Sequence, residues 1–175
     1  MEHLQKQFSK IYDKYIDKIY RFVFVKVNSQ ETAEDITSKV FMKGWEAFKK
    51  SQNPTPNTQH PIENPQAFLY QIARNAVIDH YRERGRTQVV SADYGPQLTD
   101  PRTDLEGKAI LNADLAVVKT ALKDLSDDHQ NVIIWHYLDD LPIKDVAKLL
   151  DRSEEATRVL LHRALNSLRG KLLSG

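Results

Sequence analysis

An all-α fold of two small helical domains joined by a flexible linker is the architecture this sequence predicts. Three observations predict it. Apolar residues recur at spacings of three and four through most of the chain, the pattern of amphipathic helices. Helix-start signals precede several of these stripes, at Asn64-Pro65, Ser126 and Ser153. A stretch with Pro96, Pro101, Gly95, Gly107 and acidic residues separates a basic first part from a nearly neutral last part. The expected boundaries are 1–86 for the first domain, 87–111 for the linker and 112–175 for the second domain.

Residues 4–27 read as the first helix, with Phe8, Ile11, Tyr12, Tyr15, Ile16, Ile19, Tyr20 and Val23 as its stripe. An aromatic-rich stripe at this spacing is expected to be core. Ser29 can cap a second helix from about Gln30 to Lys50, which buries Ile36, Val40, Phe41, Gly44, Trp45 and Phe48. Residues 51–64 form a loop, because Pro54, Pro56 and Pro61 forbid a regular helix. A third helix runs from Asn64 to Arg86. Its stripe is Phe68, Leu69, Ile72, Ala73, Ala76 and Val77. Gln71, Arg74, Asn75 and Asp79 lie on the opposite side.

In the second domain, 113–125 is one amphipathic helix. Ser126 caps the next, with Asp127 and Asp128 in its first turn; Val132, Ile133 and Tyr137 form its apolar side, and Asp139 and Asp140 end it. Pro142 opens a short helix with Ile143, Val146, Ala147 and Leu150 inward. A three-residue turn, Asp151-Arg152-Ser153, leads into a last helix that buries Thr157, Leu161, Ala164 and Leu168. A short helix, a three-residue turn and a longer helix make a helix-turn-helix unit or an ordinary helical hairpin.

Composition narrows the function. The 175 residues are 41% hydrophobic and 28% charged, as in a soluble globular protein. The absence of cysteine removes disulfides, cysteine zinc sites and thiol catalysis. No apolar run approaches a membrane span and the start lacks a signal-peptide core, so a cytoplasmic protein without membrane insertion is expected. Net charge is +1, but residues 1–86 carry +4, residues 87–111 carry −2 and residues 112–175 carry −1. Binding to a polyanion by the last part therefore needs a local patch. His129 and His136 lack metal-ligand spacing, and no catalytic or phosphate-binding motif is present. Neither an enzyme nor a metal or other cofactor is expected.

The third helix ends in His80, Tyr81, Arg82, Arg84, Gly85 and Arg86. A basic end with an aromatic in it can hold a phosphate backbone and stack on a base, or can simply complement the helix dipole. The last helix presents Arg152, Glu155, Arg158, Val159, His162 and Arg163 near its start; Arg reads guanine or phosphate and His can do either.

These residues carry a resemblance. IARNAVIDHYRERGR, at 72–86, closely resembles the promoter-melting helix in region two of bacterial sigma factors, above all the small extracytoplasmic-function (ECF) group. AEDITSKVFMKGWEAF, at 33–48, resembles the helix by which that family grips the β′ clamp helices of RNA polymerase. The stretch from Leu125 to Arg169 resembles region four, which reads the −35 element.

The resemblance implies a sigma factor that binds core RNA polymerase, at the β′ clamp helices and the β flap, together with promoter DNA. It implies core-polymerase contacts at Glu34, Asp35, Ser38, Lys39 and Met42. It implies −10 contacts at Asn57, His60, Asn64, Arg74, Asn75, His80, Arg82, Arg84 and Arg86, with the 51–64 loop receiving a flipped base. It implies −35 contacts at Arg152, Ser153, Glu155, Arg158, Val159, His162 and Arg163. Such proteins are commonly held inactive by an anti-sigma partner.

Four places depart from the family pattern. Ser38-Lys39 stands where Gln-Glu is usual, Asp151 where a turn Gly is common, Glu155-Ala156 where Gly-Thr is common, and Leu160 where a DNA-contacting Arg is frequent. The alternative is a stand-alone helix-turn-helix transcriptional regulator, which would bind duplex tightly without polymerase.

Overall fold

The computed structural model describes residues 2–27, 29–52, 62–87 and 116–174, and among these the regular structure is helical throughout. The chain divides into two compact units, Met1–Asn112 and Ala113–Gly175. Most of the predicted loop (53–61), most of the linker, and residues 113–115 of the fourth predicted helix lie outside the described residues.

The first unit is built on three long helices: α1 (Glu2–Lys26), α2 (Gln30–Gln52) and α3 (Pro65–Thr87). Each packs on the other two. The predicted caps form. Ser29 Oγ accepts from the Thr32 amide at 3.0 Å, and Asn64 Oδ1 accepts from the Ala67 amide at 3.2 Å. These satisfy amides that a helix start leaves without partners. The core combines Tyr15, Ile19, Phe22 and Val23 from α1, Ile36, Val40 and Phe41 from α2, and Leu69, Tyr70, Ala73 and Val77 from α3. Burying each large side chain stabilises the unit by about 1.5–3 kcal/mol before entropy is counted.

Gly44 is what lets α2 approach α3. A Cβ there would stand 3.0 Å from Leu69 Cδ2 and 3.6 Å from Phe8 Cζ. Of the predicted stripe of α1, Tyr15, Ile19 and Val23 are core, Ile16 and Tyr20 are half-buried, and Tyr12 is exposed. Near the helix start, Phe8 packs beside Trp45 and Phe48 at ring separations of 5.3 and 5.7 Å.

In the second unit, residues 116–122 form helix α4, followed by α5 (Asp127–Val132). Ser126 caps α5 as predicted, its Oγ accepting from the His129 amide at 3.3 Å. The helix then widens into a π-helix over Ile133–Leu138. This corrects the expectation of one regular α-helix with Tyr137 on its apolar side. Val132, Ile133, Ile134 and Trp135 are all buried, whereas Tyr137 is 61% exposed. Four consecutive buried residues do not fit one stripe of a 3.6-residue helix. Wider i→i+5 bonding, such as Asp139 N–H to Ile134 O at 3.0 Å, shifts the register and turns Tyr137 outward. His136 Nδ1 donates to Leu141 O at 2.8 Å, closing the end of this segment.

Helix α6 (Ile143–Leu150) and helix α7 (Glu154–Ser174) complete the unit, and α5 and α6 both pack on α7. Asp151 adopts the left-handed conformation (φ 53°, ψ 51°) that the predicted turn requires. Its amide and that of Arg152 turn back to carbonyls of α6, Arg152 N–H reaching Ala147 O at 3.0 Å. Ser153 Oγ then accepts from the Ala156 amide at 3.0 Å and starts α7. The helix-turn-helix is therefore formed as the sequence predicts.

Candidate functional site

The outer face of α2 carries Glu34, Asp35, Ser38, Lys39 and Met42, at helical spacing opposite the buried Ile36, Val40 and Phe41. Lys39 Nζ lies 3.2 Å from Asp35 Oδ2, both side chains being 64% exposed. Gln30 donates to Glu34 at 3.2 Å. Burial, and then the Glu34 carboxylate, push the Tyr20 hydroxyl up to about 12. Met42 is 68% exposed. An exposed, flexible thioether beside paired charges suits a protein partner better than a small ligand.

On α3, Asn75 and Asp79 are exposed, whereas Gln71 and Arg74 are half-buried rather than fully outward. Asp79 pairs with Arg82 at 3.8 Å, and Gln71 donates to Asn75 at 3.4 Å. Burial holds the His80 imidazole below its usual value of 6.5. Arg84 and Lys39 lower it further, and Glu83 and Asp35 oppose them. The Asp35–Lys39 pair of α2 therefore stands within electrostatic reach of the basic end of α3. Tyr81 donates its hydroxyl to Lys26 O at the end of α1, while its ring remains 44% exposed. That tether, between residues 55 apart, was not legible in the sequence. Asn64 spends its Oδ1 on capping α3. Arg84 is exposed. The Arg86 side chain, Asn57 and His60 lie outside the described residues.

On the helix-turn-helix, Arg152, Ser153, Glu155, Arg158, Val159, His162 and Arg163 are all exposed, while Thr157 and Ala164 of the same helix are buried. Leu160 is half-buried. His162 is 3.2 Å from Asn166 Nδ2. Glu154 and Glu155 occupy the first turn of α7, where carboxylates suit the helix dipole. Arg152 Nη2 donates to Asp128 Oδ2 of α5 at 2.7 Å, a pairing the sequence did not signal.

Among the described residues no group of three or more His, Asp or Glu could hold a metal ion. No helix there is long and apolar enough to cross a membrane.

The family descriptions "Sigma-70 region 2" and "Sigma-70, region 4" match residues 11–87 and 121–170. The matches take in the three-helix unit and the helix-turn-helix unit in turn. Among curated relatives, the ECF RNA polymerase sigma factor BldN of Streptomyces coelicolor is 26% identical over 162 residues. The alignment covers 92% of this chain but 58% of BldN. SigM of Bacillus subtilis is 24% identical, with 91% of each chain covered. SigX of Bacillus subtilis is 25% identical over 95% of this chain and 84% of its own.

Two solved structures share the fold. One is the sigma factor RpoE from Bartonella quintana, solved with the anti-sigma factor NepR (TM-score 0.67, 23% identity, 95% of this chain and 97% of that one). The other is CnrH, solved with the cytosolic domain of CnrY (TM-score 0.66, 17% identity, 97% and 90%). The chain belongs to the sigma-70 family, as an ECF RNA polymerase sigma factor with regions 2 and 4.

Proposed function

We infer that the chain binds bacterial core RNA polymerase through the outer face of α2 and directs initiation by contacting promoter DNA at two places. The observation that carries this reading is that both faces are presented in one chain: Asp35 and Met42 on α2, and Arg158, Val159, His162 and Arg163 on α7. Asp35 supplies the anion and Met42 the apolar contact for the polymerase clamp helices, with the β flap as a further contact of the core enzyme.

The start of α7 enters the major groove of the −35 element. There Arg158 reads guanine, Val159 packs on a thymine methyl, and His162 and Arg163 reach base or phosphate. Ser153 and Arg152 lie at the entry of that helix, where Glu155 can accept from a cytosine amine. The end of α3, with Arg74, Asn75, His80, Arg82, Arg84 and Arg86, holds the strand of the melted −10 element. Asn57, His60 and Asn64 of the 51–64 loop take the flipped base.

The chain supplies no bond-making chemistry. It drives DNA opening by holding unstacked bases. By analogy with RpoE, solved with the anti-sigma factor NepR, an anti-sigma protein would act by covering these faces, and the site of action is the cytoplasm, where core polymerase works.

The test is binding of purified protein to bacterial core RNA polymerase. Asp35→Lys is expected to lose that binding while the fold persists, and unchanged affinity would place the contact elsewhere. Arg158→Ala is expected to weaken −35 binding by about five- to a hundredfold, the loss of one good base contact, with core binding intact. Equal loss at both would remove Arg158 from the DNA face.

A further inference from the structure

The helix-turn-helix contains one charge pair that links its turn to a helix outside the motif. Arg152, in the turn between α6 and α7, lies 2.7 Å from Asp128 in the first turn of α5, and the two side chains are 42% and 34% exposed. The residues on either side of Arg152 are fixed by their own bonds. Asp151 sits in the left-handed turn, and Ser153 caps α7 through the Ala156 amide. The Arg152 side chain thus ties the turn to α5, which itself packs on α7. A guanidinium already engaged at 2.7 Å by a carboxylate must give up that bond, or share it, to neutralise a DNA phosphate.

We propose that Arg152 is a positioning residue whose partner is Asp128. The pair fixes the angle at which the first turns of α7 meet DNA, and Arg152 does not itself neutralise a phosphate. This rests on the proposed −35 reading only for its DNA arm. Sequence reading is then left to Arg158, Val159, His162 and Arg163. The local cation count on the DNA face is lower than a tally of exposed Arg suggests, because Asp128 cancels one of them.

Two measurements test it on the full chain. The first is hydrogen exchange of the Arg152, Ala156 and Thr157 amides, which bond to Ala147 O, Ser153 Oγ and Ser153 O. Arg152→Gln and Asp128→Asn are each expected to speed their exchange by about two- to fivefold, the range for a partly exposed ion pair. The double variant should be no faster than either single one, and Arg152→Lys should recover part of the protection. Additive effects of the two single variants would overturn the proposal.

The second measurement uses the complex with bacterial core polymerase and the duplex that the wild-type complex enriches from a randomised pool. Arg152→Gln should weaken binding severalfold with an unchanged dependence on salt. A slope of log affinity against log salt shallower by about 0.9 would place Arg152 on a phosphate and overturn the proposal. If the wild-type complex enriches no duplex, the −35 reading fails, while the exchange experiment still decides the Arg152–Asp128 pair.

Discussion

Lys39→Ala should tighten binding to core polymerase, although it removes a cation from a surface that meets a charged partner. In the free protein Lys39 holds Asp35 at 3.2 Å across one helical turn. At that separation the Coulomb attraction in bulk water is about 1.3 kcal/mol. Side-chain entropy and exposure reduce it to the range measured for surface pairs, about 0.2–1 kcal/mol. A partner that takes Asp35 must displace or share Lys39 and forfeits that amount. Removing the lysine therefore releases up to about fivefold in affinity. Alanine is at least as good a helix former, so α2 is not weakened.

The assay is fluorescence anisotropy of labelled protein titrated with bacterial core RNA polymerase at two salt concentrations. The gain should shrink at the higher salt, because exposed pairs are screened. Weaker binding by Lys39→Ala would refute the reasoning, for it would mean that Lys39 itself meets an acidic group on the polymerase. The departure from the usual Gln-Glu would then be a change of partner chemistry rather than an attenuation.

Two further outcomes bear on the fold. Trp135, a residue of the π-helix, is fully buried, so Trp135→Ala should cost about 3–5 kcal/mol out of the roughly 5–15 kcal/mol that hold a domain together. Hydrogen exchange should show the loss in the second unit and leave the first unit protected; an unchanged second unit would contradict the packing described. The folded state disfavours the protonated form of His80, chiefly through burial and Arg84. The unfolded chain therefore binds that proton more readily, and stability falls as pH drops through the unfolded value of 6.5. His80→Gln should lack this contribution, so the wild-type melting temperature should fall relative to the variant between pH 7.5 and 5.5. A constant difference across that range would show that His80 is not so perturbed.

The helices were legible because their local chemistry and their burial agree. Asn64, Ser126 and Ser153 each make the cap bond their type suggests, and Val40, Leu69, Ala73, Val146 and Ala164 are buried where periodicity puts them. Asp151 was readable as a left-handed turn residue because Asp tolerates that region.

The π-helix was not legible. The apolar run from Val132 to Trp135 could equally belong to an α-helix with only part of the run buried, and only packing on both sides of the run decides. Asp139 reads as a surface residue ending a helix, yet it is buried. The Tyr81–Lys26 and Arg152–Asp128 contacts join residues 55 and 24 positions apart, and no local pattern marks either. For the candidate site, the exposed residues of α2 and α7 lie where helical spacing placed them. Arg74, assigned to the polar side of α3, is half-buried, whereas Asn75 and Asp79 of that side are exposed.

The most direct measurement of the central claim is transcription in a defined mixture. Purified protein, bacterial core RNA polymerase and a pool of duplexes randomised upstream of a reporter are combined, and the templates that yield RNA are sequenced. A promoter-directing subunit predicts RNA that depends on the protein, with two motifs at fixed spacing enriched upstream of the start and both lost with Asp35→Lys. No protein-dependent RNA from a folded, partner-free chain that still binds duplex tightly would contradict the account and point to a regulator that works without polymerase.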